Sequence, residues 1–569
     1  MKKSWLACLM LFTSLTAAIP GSATNNKAAV TPKSTSDPRP SVNMTANTAS
    51  LGKYDPPIVL NSAASVVSFT QFIKGEDIQN NDWIREYENV LGIKVKYLFI
   101  AKGDGEPSPY KQKLNVSIAS NELPDMFVAD PQQITLLAKG NKLADLTEAY
   151  NQYASPQLKE IYNRDQGLAL KSATINGKLQ GIPVLQAGDL NFMQMVWVRM
   201  DWLKKLHLSE PQTMQDLIEI AKAFTRLDPD GNGKADTIGI ALTKDFYGTR
   251  IGVEGFFQGY HAYPQLWVKD ASGKLNYGSI MPEAKNALAK LQELYREGLI
   301  DQEYGLKDAK SIEEAIAQNK VGILYGVNHL VYFPIAKGTL SNLEMDWKPF
   351  PLLSADDKRA IPGTNFSINK YLLVRKEYMH PEALIKMLNL YYEKYESKDI
   401  DVHHKFILDF DPNVGLPTVS KNEWAATMGA IPTNFDIYVA AHLKEALENK
   451  DPSKLGVDEK DYYDGIQRYL AGDRTQYATY KQRGIVDSSY NVLREYFQKG
   501  YMPAEFYGSP TPAMLEKEAY LKKLEKEEFS KIIMGVAPID QFNSFVEKWK
   551  KLGGDQITKE VNDWKALQK

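Results

Sequence analysis

The sequence predicts an α/β protein. β-rich apolar segments alternate with helix-patterned segments along the chain, and no repeat of about 20–50 residues marks a solenoid or a propeller. Composition agrees: the 569 residues are 43% hydrophobic and 24% charged, as in an ordinary soluble globular chain. At roughly 100–200 residues per domain, this length corresponds to about two to four domains.

The chain opens with Lys2 and Lys3, an apolar stretch from Trp5 to Leu15, and then Pro20-Gly21-Ser22-Ala23, a helix breaker with small residues. This reads as a secretory signal peptide over residues 1–23, cleaved after Ala23. The apolar run is shorter than the ~20 residues needed to span a bilayer. The only cysteine, Cys8, lies inside it, so the mature chain has no thiol for disulfides, Cys-ligated zinc, iron–sulfur clusters or nucleophilic catalysis. Leu6-Ala7-Cys8 loosely resembles a lipobox, but most of the apolar run follows Cys8, which argues against lipidation there. The expected location is therefore secreted, extracellular or associated with the cell surface. Residues 24–60, rich in Asn, Ser, Thr, Ala, Pro and Lys, read as a flexible polar tether.

Order is expected to begin with a strand at Ala64–Phe69. A loop with Asn80, Asn81 and Asp82 follows, then an amphipathic stretch from Trp83 to Val90, a stop at Gly92 and a strand at Ile93–Ile100. The β-α-β order repeats with a helix over Tyr110–Ser120, Leu123-Pro124-Asp125, and a short strand at Met126–Ala129. Further helices are expected at Met214–Leu227, Glu283–Glu297, Pro381–Lys394, Leu515–Ile533 and Ile539–Leu552, and strands at Gly239–Leu242, Val321–Leu324 and Tyr371–Val374. Such alternation implies a mostly parallel sheet covered by helices.

A net charge of −2 gives no global field for a polyphosphate, and no local basic groove is apparent, so a nucleic-acid partner is excluded. HExxH, GxSxG, P-loop and GxGxxG motifs are missing. The adjacent His403 and His404 would point apart in a regular element. A glycosidase pair of carboxylates is defined by separation in space, so the sequence leaves it open.

One segment has definite chemistry. Asp228-Pro229-Asp230-Gly231-Asn232-Gly233-Lys234-Ala235-Asp236 places side-chain oxygens at loop positions 1, 3, 5 and 9, with Gly233 at position 6 and the Lys234 carbonyl at position 7. This spacing suits a hard cation such as Ca²⁺. Position 12, which carries a bidentate Glu in a calcium-switch loop, is Gly239, and a strand follows, so the reading is a structural calcium. The alternative is an Asx/Gly turn without metal.

The densest aromatic cluster is Gly255–Trp267, where Phe256, Tyr260, Tyr263 and Trp267 follow helical spacing. Such a stripe is ordinarily core; Tyr260 and Trp267 are the members placed to reach a ligand, since aromatic faces stack on sugar rings.

Several of these segments resemble the extracellular solute-binding proteins of bacterial ABC importers, in the large oligosaccharide-binding group and especially its Paenibacillus-type members. The marks are Tyr110–Ser120 with Leu123-Pro124-Asp125, Asn176-Gly177-Lys178 running to Gly181-Ile182-Pro183, and Val196-Trp197-Val198-Arg199 with Asp201-Trp202-Leu203. The Ala221–Thr225 segment leading into the Asp-rich loop, the Gly255–Trp267 cluster and Tyr507–Pro512 complete them. The resemblance covers nearly the whole mature chain. It implies a two-lobed, type II periplasmic-binding-protein-like architecture, with two discontinuous α/β domains, a hinge and an interlobe cleft. Lobe 1 would comprise 61–190 plus about 350–425, and lobe 2 would comprise 191–349 plus about 426–569, with crossings near 185–198, 345–365 and 420–435.

Ligands of open α/β sheets bind at the carboxyl ends of strands. That placement nominates Asp82, Trp83, Asp130, Gln132, Asn328, His329 and Tyr332, with Trp83, Trp267 or Tyr507 as a stacking face. Many relatives carry a tryptophan where Asn328-His329 stands here. The implied function is capture without chemistry: an oligosaccharide is held in the cleft of a monomer and delivered to ABC permease subunits. A secreted glycosidase or lyase, and a sensor or peptide-binding module of the same fold, are the other readings.

Overall fold

The computed structural model describes residues 50–568 apart from Phe69, 104–107, Thr249, 412–415 and 428–430. The expected signal peptide, Cys8 and most of the tether lie outside the described residues.

Two apolar cores organise the chain. One draws on residues 54–185 and 368–425 and is centred on Trp83, Tyr87, Phe127, Leu373 and Tyr391. The other draws on 190–360 and 437–561, around Trp197, Phe224, Leu288, Ile323, Trp347 and Phe529. Each is the core of one lobe.

In lobe 1 the strand Ile58–Val66 runs parallel to Ile93–Lys102. Met126–Ala129 pairs antiparallel with Tyr371–Val374, which pairs antiparallel with Ile182–Pro183 on its other side. The two groups are stitched together by Asp125, whose backbone N–H donates to the Asn61 carbonyl at 2.7 Å while its carboxylate accepts from the Asn61 N–H at 2.8 Å. Lobe 2 holds a sheet in the order Trp347–Phe350, Met195–Arg199, Val321–Gly326, Ile238–Ile240. Only the last two of these run parallel. The expected mostly parallel sheet is therefore corrected to mixed sheets. Met195–Arg199 and Tyr371–Val374 are each the first strand after a passage from the other lobe, and each enters its sheet against the direction of its neighbours.

Helix ends follow local chemistry. Met214–Arg226 starts at Thr213, whose hydroxyl accepts from the Asp216 N–H while the Asp216 carboxylate accepts from the Thr213 N–H, closing a capping box. Its apolar face buries Leu217, Ile218, Ala221 and Phe224. The amphipathic stretch after Asn81 is the helix Asp82–Glu86, which widens into a π-turn at Tyr87–Leu91 and stops at Gly92. Gly92 has φ +68°, and a Cβ there would lie 2.4 Å from the Tyr54 carbonyl, so only glycine fits.

The N-terminal boundary moves. The first strand begins at Ile58 and ends at Val66, not Ala64–Phe69, and Tyr54 is already buried. The Tyr54 hydroxyl donates to Glu382 at 2.7 Å, and Lys386 Nζ lies 4.3 Å above its ring. Residues 54–60, expected as tether, therefore belong to lobe 1: the ring of Tyr54 outweighs the polar composition around it.

Candidate binding cleft between the lobes

Three segments connect the cores, at about 185–190, 360–368 and 425–437. The first and third run side by side. Ile431 N–H donates to the Leu185 carbonyl at 3.1 Å, Ala187 N–H to Ile431 at 3.2 Å, and Asn434 N–H to Ala187 at 3.0 Å. Gly188 sits in this pair with φ +84°, and a Cβ there would lie 2.9 Å from the Asn434 nitrogen. Gly188→Val is therefore expected to destabilise the protein by about 1–3 kcal/mol, through a strained backbone and a forced separation of the two hinge segments. A thermal melt of the variant checks this; an unchanged melting temperature would remove the constraint. The second crossing is clamped from lobe 2. Met502 N–H donates to Pro362 at 2.9 Å, and the Gln258 side chain accepts from Gly363 N–H at 3.2 Å.

Two adjoining cavities open beside these crossings and share Ser367. The first, about 290 Å³, is lined by Phe192, Gln194, Tyr247, Glu254, Gln258, Gln265, Leu266 and the 363–367 crossing. The second, about 380 Å³, lies between the lobes, with Asp165, Gln166 and Lys171 of lobe 1 facing Tyr501, Glu505 and Tyr507 of lobe 2 across Phe366, Thr433 and Asn434. Phe366 and Tyr507 have ring centroids 6.1 Å apart, and Trp564 meets Tyr507 edge-on at 4.8 Å. At the margin, Thr135 of lobe 1 bonds to Ser509 of lobe 2, oxygen to oxygen, at 2.6 Å. Amides, hydroxyls and aromatic faces dominate the walls. Burial raises Glu254 to about 7 and also raises Asp165, against which the Ala169 N–H bond acts. Glu505 is held by Lys269 at 2.8 Å and Lys565 at 3.0 Å.

Of the residues nominated from sequence, Tyr507 lines this cleft. Trp83 does not: it is fully enclosed, stacked on Tyr391 at 5.2 Å and donating from Nε1 to the Phe406 carbonyl. The helix it begins packs inward, so its ring completes the lobe 1 core. Asp82 instead pairs with Arg85 at 2.9 Å. Asp130 is committed to capping the helix Pro131–Lys139 and to Lys111 at 2.6 Å, while Gln132 on the first turn is exposed. Tyr260 and Trp267 are half-buried and pack against the lobe 2 core, beside Phe256 and Tyr277, and neither lines the two cavities.

Asn328 is buried and saturated: its amide donates to Asn191 at 2.7 Å and Asp436 at 3.1 Å and accepts from Gln482 at 3.2 Å. His329 is half-buried beside Phe333, with burial lowering its pKa. The Tyr332 hydroxyl accepts from Arg483. Neither lines the two cavities. Gln194, Glu254, Gln258 and Gln265, which line the first cavity, were not nominated from sequence because they converge only through tertiary packing. Gln258 and Gln265 lie in the very stripe from which the aromatics were chosen.

In the Asp-rich loop, Asp228 accepts from the N–H groups of Gly231, Asn232 and Gly233 at 2.9–3.0 Å. Asn232 Nδ2 lies between Asp230 at 2.7 Å and Asp236 at 3.0 Å, its Oδ1 accepts from Lys234 N–H, and Lys320 pairs with Asp236 at 2.9 Å. Burial and the neighbouring Asp228 carboxyl raise Asp230. Among the described residues no three His, Cys, Asp or Glu side chains form a metal-ligating group. The donor chemistry nevertheless fits a hard cation. The Asn232 amide donor occupies the space between two carboxylates, and a half-turn about its terminal bond puts an oxygen there instead.

Residues 68–394 match the bacterial extracellular solute-binding protein family, and the chain belongs to it. That family consists of binding proteins. The chain is similar to lipoprotein LipO of Bacillus subtilis (strain 168), 23% identical over 485 residues, covering 84% of this chain and 88% of that one. It is also similar to the polygalacturonan/rhamnogalacturonan-binding protein YtcQ of the same strain, 24% identical over 491 residues, covering 84% and 87%. Two solved structures share the fold. One is the HMO-binding, ABC-transporter-associated solute-binding protein of Bifidobacterium longum infantis ATCC 15697, with TM-score 0.60 and 16% identity over 90% of this chain and 99% of that one. The other is an EF-hand mutant of the S. pneumoniae substrate-binding protein FusA in complex with fructo-nystose, with TM-score 0.57 and 16% identity over 90% and 99%.

Proposed function

We propose that this chain captures an oligosaccharide in the cleft at Ser367 and presents it, as an extracellular monomer at the cell surface, to the permease subunits of an ABC importer. The observation that carries the reading is the wall itself. Gln194, Gln265 and Asn365 bring amides to the first cavity, Phe366 and Tyr507 bring aromatic faces to the adjoining one, and both lobes contribute to the second. Amides bond vicinal hydroxyls and aromatic faces cover C–H-rich ring surfaces, the combination by which a protein holds a sugar. Capture at this position couples to lobe closure, because a ligand touching both lobes favours the conformation in which it touches both.

A calcium ion belongs to the same reading. Asp228, Asp230, Asn232, Asp236 and the Lys234 carbonyl would hold it in lobe 2, where it would brace the turn between Met214–Arg226 and Ile238–Ile240. The EF-hand named for FusA supports this assignment.

A thermal-shift panel tests the function. A neutral oligosaccharide at about 100 times its Kd is expected to stabilise the protein by about 2.7 kcal/mol, and the sugar should be recovered unchanged. Consumption of the sugar, or stabilisation by peptides alone, would contradict the reading.

A further inference from the structure

The first cavity has an unbalanced wall. Among the described residues that line it, Glu254 is the one charged side chain, and none is Lys, Arg or His. Glu254 Oε1 accepts from the Gly248 N–H at 3.2 Å, while Oε2, covered from solvent, has no hydrogen-bond partner within the protein. Gln194, 4% exposed and lining the same cavity, has its Oε1 equally without a partner. Behind the wall, Tyr247 turns its hydroxyl away, donating to Glu525 at 2.7 Å, and Tyr277 donates to the other oxygen of Glu525 at 3.1 Å. Tyr247, Tyr277 and Glu525 therefore add no cation to this side. Among the described residues of the adjoining cavity Lys171 is the one cation, and it shares the walls with Asp165 and Glu505.

Oε2 of Glu254 and Oε1 of Gln194 are sealed within the wall, so the Glu254 charge acts on the cavity through space, with no hydrogen bond at Oε2 to offset it. The carboxylate of a uronate brings only acceptors and would be desolvated beside Glu254 without a counter-ion among the described lining residues, whereas hydroxyl and ammonium groups turn positive hydrogens toward it. We propose that Glu254 sets the ligand class of this cleft: the cavity takes a sugar unit offering hydroxyl or ammonium donors and rejects a uronate. The inference rests on the capture function above and narrows it. It also separates this chain from what the name of YtcQ says that relative binds.

The test is calorimetric titration at pH 8, where the Glu254 carboxyl, raised by burial to about 7, is ionised. The probes are neutral fructo- and gluco-oligosaccharides, glucosamine oligomers and oligogalacturonate. Wild type is expected to bind a member of the first two classes and to show no saturable heat with oligogalacturonate. Glu254→Gln, which keeps the shape and removes the charge, is expected to change the neutral-to-uronate affinity ratio by about tenfold in favour of the uronate, equivalent to about 1.4 kcal/mol. Oligogalacturonate binding as tightly as the neutral sugars would overturn the inference while leaving capture intact, and so would an unchanged ratio in E254Q. Silence with every sugar would instead overturn capture itself. The wild-type comparison stands whether or not the variant folds.

Discussion

Trp83→Ala is expected to cost about 3–5 kcal/mol of stability, the range for a buried tryptophan truncated in a core. The ring is fully enclosed between Tyr391 and Phe406, and its Nε1 satisfies the carbonyls of both Phe406 and Lys421, at 2.9 and 3.1 Å. Truncation leaves a cavity and frees two buried acceptors at once. At roughly 2–4 °C per kcal/mol for a lobe of this size, the melting temperature falls by about 6–20 °C. Any sugar affinity measured below that transition should be unchanged. A tryptophan serving as a stacking platform behaves in the opposite way, with an intact melt and lost binding, so differential scanning calorimetry paired with titration decides between the two roles.

If the loop holds calcium as proposed, removing the ion is the second effect expected to be large. A folded state holding Ca²⁺ at a thousandfold excess over its Kd gains about 4.1 kcal/mol by mass action. Chelator should therefore lower the melting temperature by several degrees, and Asp228→Ala with Asp230→Ala should abolish the response. The carboxyls of Asp228 and Asp230 interact, and Asp230 is held above its ordinary value. Apo protein should accordingly take up a proton at this loop more readily than the calcium form, so apparent calcium affinity falls as pH drops through the Asp230 titration. Identical melts with calcium and with chelator would leave the loop as an Asx/Gly turn.

Much of the fold was legible because its signals are local. Apolar periodicity and caps locate Met214–Arg226, where Thr213 and Asp216 form a box, and a run of four apolar residues locates Tyr371–Val374. The direction of that strand was not legible, because it depends on a chain crossing that no local pattern encodes. The binding wall was harder still. Trp83 and Tyr260 carry the right chemistry, but whether an aromatic ring faces core or cleft depends on which helix face the neighbouring lobe covers. Tyr507, nominated along with its motif, lines the interlobe cavity. Gln194, just before the strand Met195–Arg199, and Glu254, at the start of the helix Glu254–Gly259, come together only through tertiary packing. The tether boundary failed for a related reason: Pro56 and Asp55 read as linker, while the single ring of Tyr54 ties the segment to Glu382 and Lys386.

The most direct test of capture between the lobes is calorimetric titration of a neutral oligosaccharide into wild type and into Tyr507→Ala. Tyr507 faces the interlobe cavity opposite Phe366, so its removal deletes one stacking face without opening either core. The account predicts saturable one-to-one heat in wild type, recovery of the sugar unchanged, and affinity weakened about tenfold or more in the variant, as expected for a loss of about 1.4 kcal/mol. Equal affinity in the two proteins, or heat arising from cleavage of the sugar, would contradict it.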